Sequence, residues 1–178
     1  MHKPGQSQRS ERLAGPRDLV VEELAPLLEH PGRRLSETEP FPFSRPTFRA
    51  MKTVFNLVAA DNEFERDFAR FLQDADDVYR FAKLPGKFGF AIEYTDSATN
   101  LRYYEPDFVA LDTAGIHYVL ETKGREDIDV AYKDRAAKIW CENATLLTGT
   151  QWVYAKVPQV EFAKLAPRRL EDVVVAFG

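Results

Sequence analysis

A chain of 178 residues, 44% hydrophobic and 29% charged, is long enough for one domain with a substantial core. Its single cysteine, Cys141, excludes an intramolecular disulfide and a cysteine-rich zinc site; no apolar run approaches the ~20 residues of a membrane span; and the polar N-terminus lacks a signal-peptide core, so a cytoplasmic location is expected by elimination. The formal net charge of −4 argues against a protein that coats nucleic acid by charge alone, although residues 1–52 are slightly basic and the acid excess lies in 53–178.

In chain order, residues 1–17 carry Lys3, Arg9, Arg12 and Arg17 against Glu11 alone, among Gln, Ser, Pro and Gly, and read as a disordered basic tail. Asp18 to His30 reads as an amphipathic helix, bent or restarted near Pro26. Residues 31–50 interleave Pro31, Pro40, Pro42 and Pro46 with Phe41, Phe43 and Phe48, which predicts an irregular connector packed on the domain; 18–50 thus lead into a main domain over 51–178. Lys52 to Val58 reads as an edge strand or a lead-in. Asp61-Asn62 reads as a helix cap, and Phe64, Phe68, Phe71 and Leu72 then recur at helical spacing. Glu65 lies beside that stripe and can point inward. Val78 to Lys83 and Lys87 to Tyr94 alternate like strands about a Leu84-Pro85-Gly86 turn.

The chemistry concentrates in residues 104–125. Phe108 to Leu111 and Ile116 to Leu120 are short apolar runs joined by Asp112-Thr113-Ala114-Gly115, the pattern of an antiparallel hairpin. Asp107 opens the first strand and Glu121 nearly closes the second, which makes them neighbours. Glu121 and Lys123 project from the same face, alpha carbons about 7 Å apart. Thr122 points the other way, but its carbonyl can still reach a cation. Carboxylates and a carbonyl are the hard ligands magnesium prefers, and a lysine beside them can orient or help activate a water for attack on phosphorus. Either half of the motif alone, Pro106-Asp107 or Glu121-x-Lys123, is commonly structural; together and in this order they are more specific.

Downstream, a helix from about Val130 to Glu142 and a strand from Gln151 to Lys156 are predicted, then a short helix over Val160 to Leu165 and a closing apolar segment over Leu170 to Phe177. Cys141 beside Trp140 reads as a core residue. His2, His30 and His117 form no ligand pair, and His117 reads as an exposed strand position.

These residues resemble the PD-(D/E)xK nuclease superfamily, most closely the C-terminal endonuclease domain of type III restriction enzyme Res subunits. The matching positions run from about Val54 to Tyr154: Phe64-Glu65, Phe68-Ala69 and Leu72; Val78 and Phe81-Ala82-Lys83; Tyr103-Tyr104 and Pro106-Asp107-Phe108; Glu121-Thr122-Lys123-Gly124 with Glu126-Asp127; and Lys133, Lys138 and Trp140-Cys141. The resemblance implies an α/β restriction-endonuclease-like fold, a central mixed four-stranded sheet flanked by helices. It also implies Mg2+, with Mn2+ as a substitute, held by Asp107 and Glu121 (and Thr122 through its carbonyl), with Lys123 as the catalytic lysine and Glu65 as an accessory acid. Candidate DNA contacts are Lys133 first, then Lys83, Lys87, Arg125 and Lys138. Glu105 stands where the family more often has tyrosine before the proline. No GxxxxGK[ST] phosphate loop occurs, so the ATP-driven motor of family members is absent from this sequence and no ATP site is expected. The implied partners are double-stranded DNA, a helicase or translocase, and a methyltransferase subunit encoded elsewhere; no membrane is implied. Two other readings fit the same residues: a non-catalytic module that binds DNA or a helicase, and a related nuclease acting on RNA or branched DNA.

Overall fold

Residues 34–124 and 130–178 are described by the computed structural model. The expected tail of 1–17, the expected helix of 18–30 and Arg125 lie outside the described residues.

Helix α1 (Glu63–Asp74) starts where Asn62 accepts the backbone N–H of Glu65 at 2.9 Å, and it buries Phe64, Phe68, Ala69 and Leu72. The main sheet has the order β1-β4-β5-β6. In it, β1 (Val78–Lys83) pairs antiparallel with β4 (Phe108–Asp112), and β4 pairs antiparallel with β5 (His117–Lys123). Strand β5 pairs in parallel with β6 (Trp152–Pro158), the crossover being α2 (Val130–Thr148). The sheet is therefore mixed and four-stranded, with helices on both faces, as expected.

The β4–β5 turn shows why the hairpin forms. Asp112 Oδ1 accepts the N–H groups of Ala114 (2.9 Å) and Ile116 (2.8 Å), and Gly115 takes a φ of 89° that other residues resist. Alternation then sorts the side chains. Phe81, Phe108, Ala110, Tyr118, Leu120, Ala155 and Val157 face α1, α3 (Gln159–Leu165) and α4 (Leu170–Phe177), where Phe68 packs among Phe64, Phe71, Phe108 and Phe162. Val119 and Tyr154 face the other way, against Ala137 and Cys141 of α2, so Cys141 is a buried core thiol as expected.

Two elements differ from expectation, and two others are made more definite. Residues 87–94 are not one strand: a 3-10 turn over Gly86–Phe88 ends at Gly89 (φ 74°), and Phe88 and Phe90 both drop into the core. What remains, β2 (Ile92–Thr95), pairs with β3 (Leu101–Tyr104) in a separate two-stranded sheet. Helix α2 continues past Glu142 to Thr148, because Ala144 is buried and the Thr145 and Thr148 hydroxyls donate to carbonyls one turn back. The closing apolar segment is the helix α4, capped from a distance: the N–H groups of Leu170 and Glu171 donate to Asp77 Oδ1 and Oδ2 at 2.8 and 2.9 Å. Finally, of the two readings of Lys52 to Val58, the structure bears out the lead-in and not the strand. A single parallel bridge joins Thr53 to Phe81, whose N–H donates to the Lys52 carbonyl at 3.0 Å along the outer edge of β1. Among the described residues no helix is long and apolar enough to cross a membrane.

Candidate active site

The hairpin register sets the geometry. Phe108 lies opposite Leu120, the last pair of the ladder, so Asp107 just before β4 and Glu121 next along β5 come close enough for the Asp107 charge to act on Glu121. Asp107 is held at both oxygens. Oδ2 accepts the backbone N–H of Thr122 at 2.8 Å and its hydroxyl at 2.6 Å. Oδ1 accepts from the Lys83 ammonium at 3.2 Å. Glu121 Oε1 pairs with Lys123 Nζ at 2.9 Å, as expected for two residues on one face of β5. Glu121 Oε2 is buried and has no hydrogen-bond partner.

Glu65 does point inward. Its Oε2 accepts the N–H of Asp61 at 2.8 Å and lies 3.3 Å from Lys83 Nζ. Lys83 thus bridges Glu65 and Asp107, with its side chain only 7% exposed. Lys83, also an expected DNA contact, is turned by the end of β1 under the α1 N-terminus, into a carboxylate pair. Burial alone would lower its pKa, but the charges of Asp107 and Glu65 outweigh that and raise it, so it is an ammonium.

The carboxylates respond in the opposite sense. Burial pushes Glu121 up, the Asp107 charge adds to this, and Lys123 only partly opposes it. Burial likewise pushes Glu65 up against the pull of Lys83. Burial lowers Lys123, yet Glu121 beside it more than compensates, and its pKa is raised. Lys123 is therefore a hydrogen-bond donor and a positive charge at neutral pH.

A divalent cation can be tested against these donors. Among the described residues, no three His, Cys, Asp or Glu side chains come together as a self-sufficient metal cage. The carboxylate pair nevertheless fits a hard cation that keeps water or phosphate ligands. A carboxylate has about four acceptor sites; Asp107 uses three of them, and Glu121 leaves one buried oxygen unsatisfied. Such an orphaned anionic oxygen is costly unless something binds it. Glu65, committed to Lys83, Asn62 and Asp61, lacks that availability.

The other expected contacts are dispersed. Lys87 and Lys138 are exposed, whereas Lys133 is half-buried with its ammonium 5.7 Å from the centre of the Tyr94 ring. His117 is not an exposed strand residue: it stacks on Trp152, ring centres 4.4 Å apart, and burial lowers its pKa. Sequence reasoning missed a polar group on the Glu121 face. Lys156, in register with Glu121, pairs with Asp134 at 2.8 Å, and Asp134 also accepts from the Tyr154 hydroxyl at 2.7 Å. The Tyr104 hydroxyl is buried without a partner. The alternation of Tyr154 and Lys156 along β6 was the available signal.

Residues 51–166 match the family model described as an endonuclease domain, and the chain belongs to that family. Its mixed four-stranded sheet flanked by helices is consistent with a restriction endonuclease domain. No curated protein and no solved structure matches the chain.

Proposed function

We propose that this nuclease-family chain is a magnesium-dependent DNA endonuclease of the type III restriction class, which hydrolyses phosphodiester bonds by direct attack of water. The observation that carries the reading is the placing of Asp107 immediately before β4 and of Glu121 next after Leu120, the partner of Phe108, on β5, with one buried Glu121 oxygen unsatisfied and Lys123 2.9 Å from the other. Asp107, Glu121 and the Thr122 carbonyl would hold the cation. When bound, that cation supplies Lewis-acid stabilisation of the charge developing on phosphate oxygens.

The chain's own groups do the rest. Lys123, in its ammonium form, donates to the attacking water or to a phosphate oxygen and balances negative charge as it grows. Thr122 and Lys83 fix the rotation of the Asp107 carboxylate, which is the preorganisation that a two-carboxylate site requires. Glu65 acts through Lys83, as its counter-ion. Lys133, Lys138 and Lys87 are the candidate backbone contacts to DNA, with Arg125 beyond the described residues. Sequence choice and translocation fall to a methyltransferase and a helicase partner, so this domain positions phosphate and does not read bases.

The test is cleavage of supercoiled plasmid with magnesium, beside Lys123→Ala and an EDTA control. Nicking or linearisation by the wild type alone is expected. Equal cutting by Lys123→Ala, or cutting in EDTA, would overturn the mechanism. No cutting by folded protein, alone or with a candidate motor, would favour the non-catalytic module. Cutting confined to RNA or branched DNA would change the substrate class.

A further inference from the structure

The donors that flank Glu121 on its face of the sheet are committed elsewhere. Lys123 takes Glu121 Oε1, and Lys156, in register with Glu121 on β6, is held 2.8 Å from Asp134. The Tyr154 hydroxyl donates to the same Asp134 at 2.7 Å. Among the described residues, Tyr104 brings an uncommitted hydroxyl to this face. It ends β3, three residues ahead of Asp107, is only 8% exposed, and its Oη is buried with no hydrogen-bond partner. Its ring packs in one cluster with Val119 and Tyr154, which precede Glu121 and Lys156 by two residues on their strands. Tyr94 meets it edge-on, ring centres 6.1 Å apart, which restrains the ring. Burial raises the Tyr104 pKa, and the charges of Glu121, Asp134 and Asp107 act in the same direction. The phenol is therefore neutral and within electrostatic reach of all three carboxylates. Two orphaned oxygens thus share one sheet face: Glu121 Oε2, an acceptor, and Tyr104 Oη, which both accepts and donates. They do not bond one another. A buried polar atom without a partner is costly, and two of them together mark a place for a polar ligand.

We propose that Tyr104 is a positioning residue for the divalent cation of Asp107 and Glu121, its hydroxyl holding a water that the cation retains; this assignment rests on the magnesium-dependent reading of the site. Magnesium bound by one or two carboxylates keeps several waters. A water polarised by a cation is a strong donor and needs an acceptor. The phenol oxygen can take one of its protons and offer its own to a carboxylate. Outer contacts of this kind orient the inner ligands and tune their affinity. Asp134, with a partner at each oxygen, is less available for that role.

Tyr104→Phe removes the hydroxyl and keeps the ring packing. Calorimetric titration of the full chain with magnesium chloride compares wild type, Tyr104→Phe and Glu121→Gln, and thermal melting of each is followed without metal. Tyr104→Phe should bind magnesium about tenfold more weakly, the scale for losing an outer partner of a metal ligand. Its metal-free melting temperature should equal or exceed that of the wild type, because the hydroxyl removed is buried without a partner. Glu121→Gln should lose the binding event, which locates it at the carboxylate pair. Equal magnesium affinity in Tyr104→Phe and wild type would overturn the proposal and leave the nuclease reading standing. So would a weaker affinity accompanied by a lowered metal-free melting temperature, which would make the role of Tyr104 merely structural. A wild type that binds no magnesium, or binding that Glu121→Gln leaves unchanged, would overturn the reading of the site and the proposal with it.

Discussion

Lys83 and Asp107 meet across β1 and the entry to β4, with 3.2 Å between Nζ and Oδ1, while Glu65 holds the same ammonium from α1 at 3.3 Å. A lysine that the sequence offers to DNA thus spends its charge inside the protein. Removing it leaves two poorly hydrated carboxylates facing each other. Lys83→Met should cost about 3 kcal/mol in urea unfolding, the scale for breaking a buried ion pair. Adding Glu65→Gln should recover part of that loss. A single-variant loss below about 1 kcal/mol would show the pair to be solvated.

The raised pKa of Glu121 gives the metal-free protein a defined pH response. A carboxyl whose folded pKa exceeds its unfolded value binds more protons when folded, so it opposes folding above that pKa and ceases to do so as the pH falls. Glu65 has the same sign. Stability carried by these two groups should therefore rise on acidification through the window between their raised values and the ordinary 4.5. Glu121→Gln should flatten that rise, as followed by thermal melting across pH. Magnesium affinity measured calorimetrically should move oppositely, falling on acidification, because the cation needs the charged carboxylate.

Thr122 contributes two donors to Asp107 Oδ2, and only the hydroxyl can be removed by substitution. Thr122→Val keeps volume and β-branching and should cost about 1.5–3 kcal/mol, the range for a hydrogen bond to a charged group. Plasmid cleavage should fall as well, since Asp107 is left with fewer restraints. A variant with full activity and wild-type stability would remove Thr122 from the site's support.

Asp77 caps α4 from far away in sequence, accepting the N–H groups of Leu170 and Glu171. Asp77→Ala should cost about 1–2 kcal/mol, with Asp77→Asn costing less because it keeps one acceptor. Hydrogen exchange at Leu170 and Glu171 should accelerate first. An unchanged exchange rate would show that packing of Leu170 and Val173 alone fixes the helix.

Legibility in the sequence followed the length scale of each interaction. Helix α1 carries a local cap and a 3.6-residue stripe, and the β4–β5 hairpin carries period-two alternation and a glycine turn, so both could be read, along with the closeness of Asp107 to Glu121. Strand β3 could not: Leu101, Arg102 and Tyr103 are all exposed, which leaves no alternation to find. The fate of Lys83 was equally hidden. Its partners lie 18 residues before it and 24 after it, and the chain gives no local sign that they converge. His117 looked exposed because its flanking pattern says nothing of Trp152 on the next strand.

The bridge between Thr53 and Phe81 has a consequence for how molecules of this protein meet one another. An outer strand offers unpaired N–H and C=O groups to any second strand that approaches, a route to aggregation. Lys52 and Thr53 occupy part of that row on β1, and the exposed, charged Arg80 guards another part. The irregular stretch ahead of α1 therefore protects solubility as well as connecting elements. Loss of the bridge, for example by Phe81→Pro at the donor, would add intermolecular strand pairing to the cost in stability, visible as light scattering that grows with concentration.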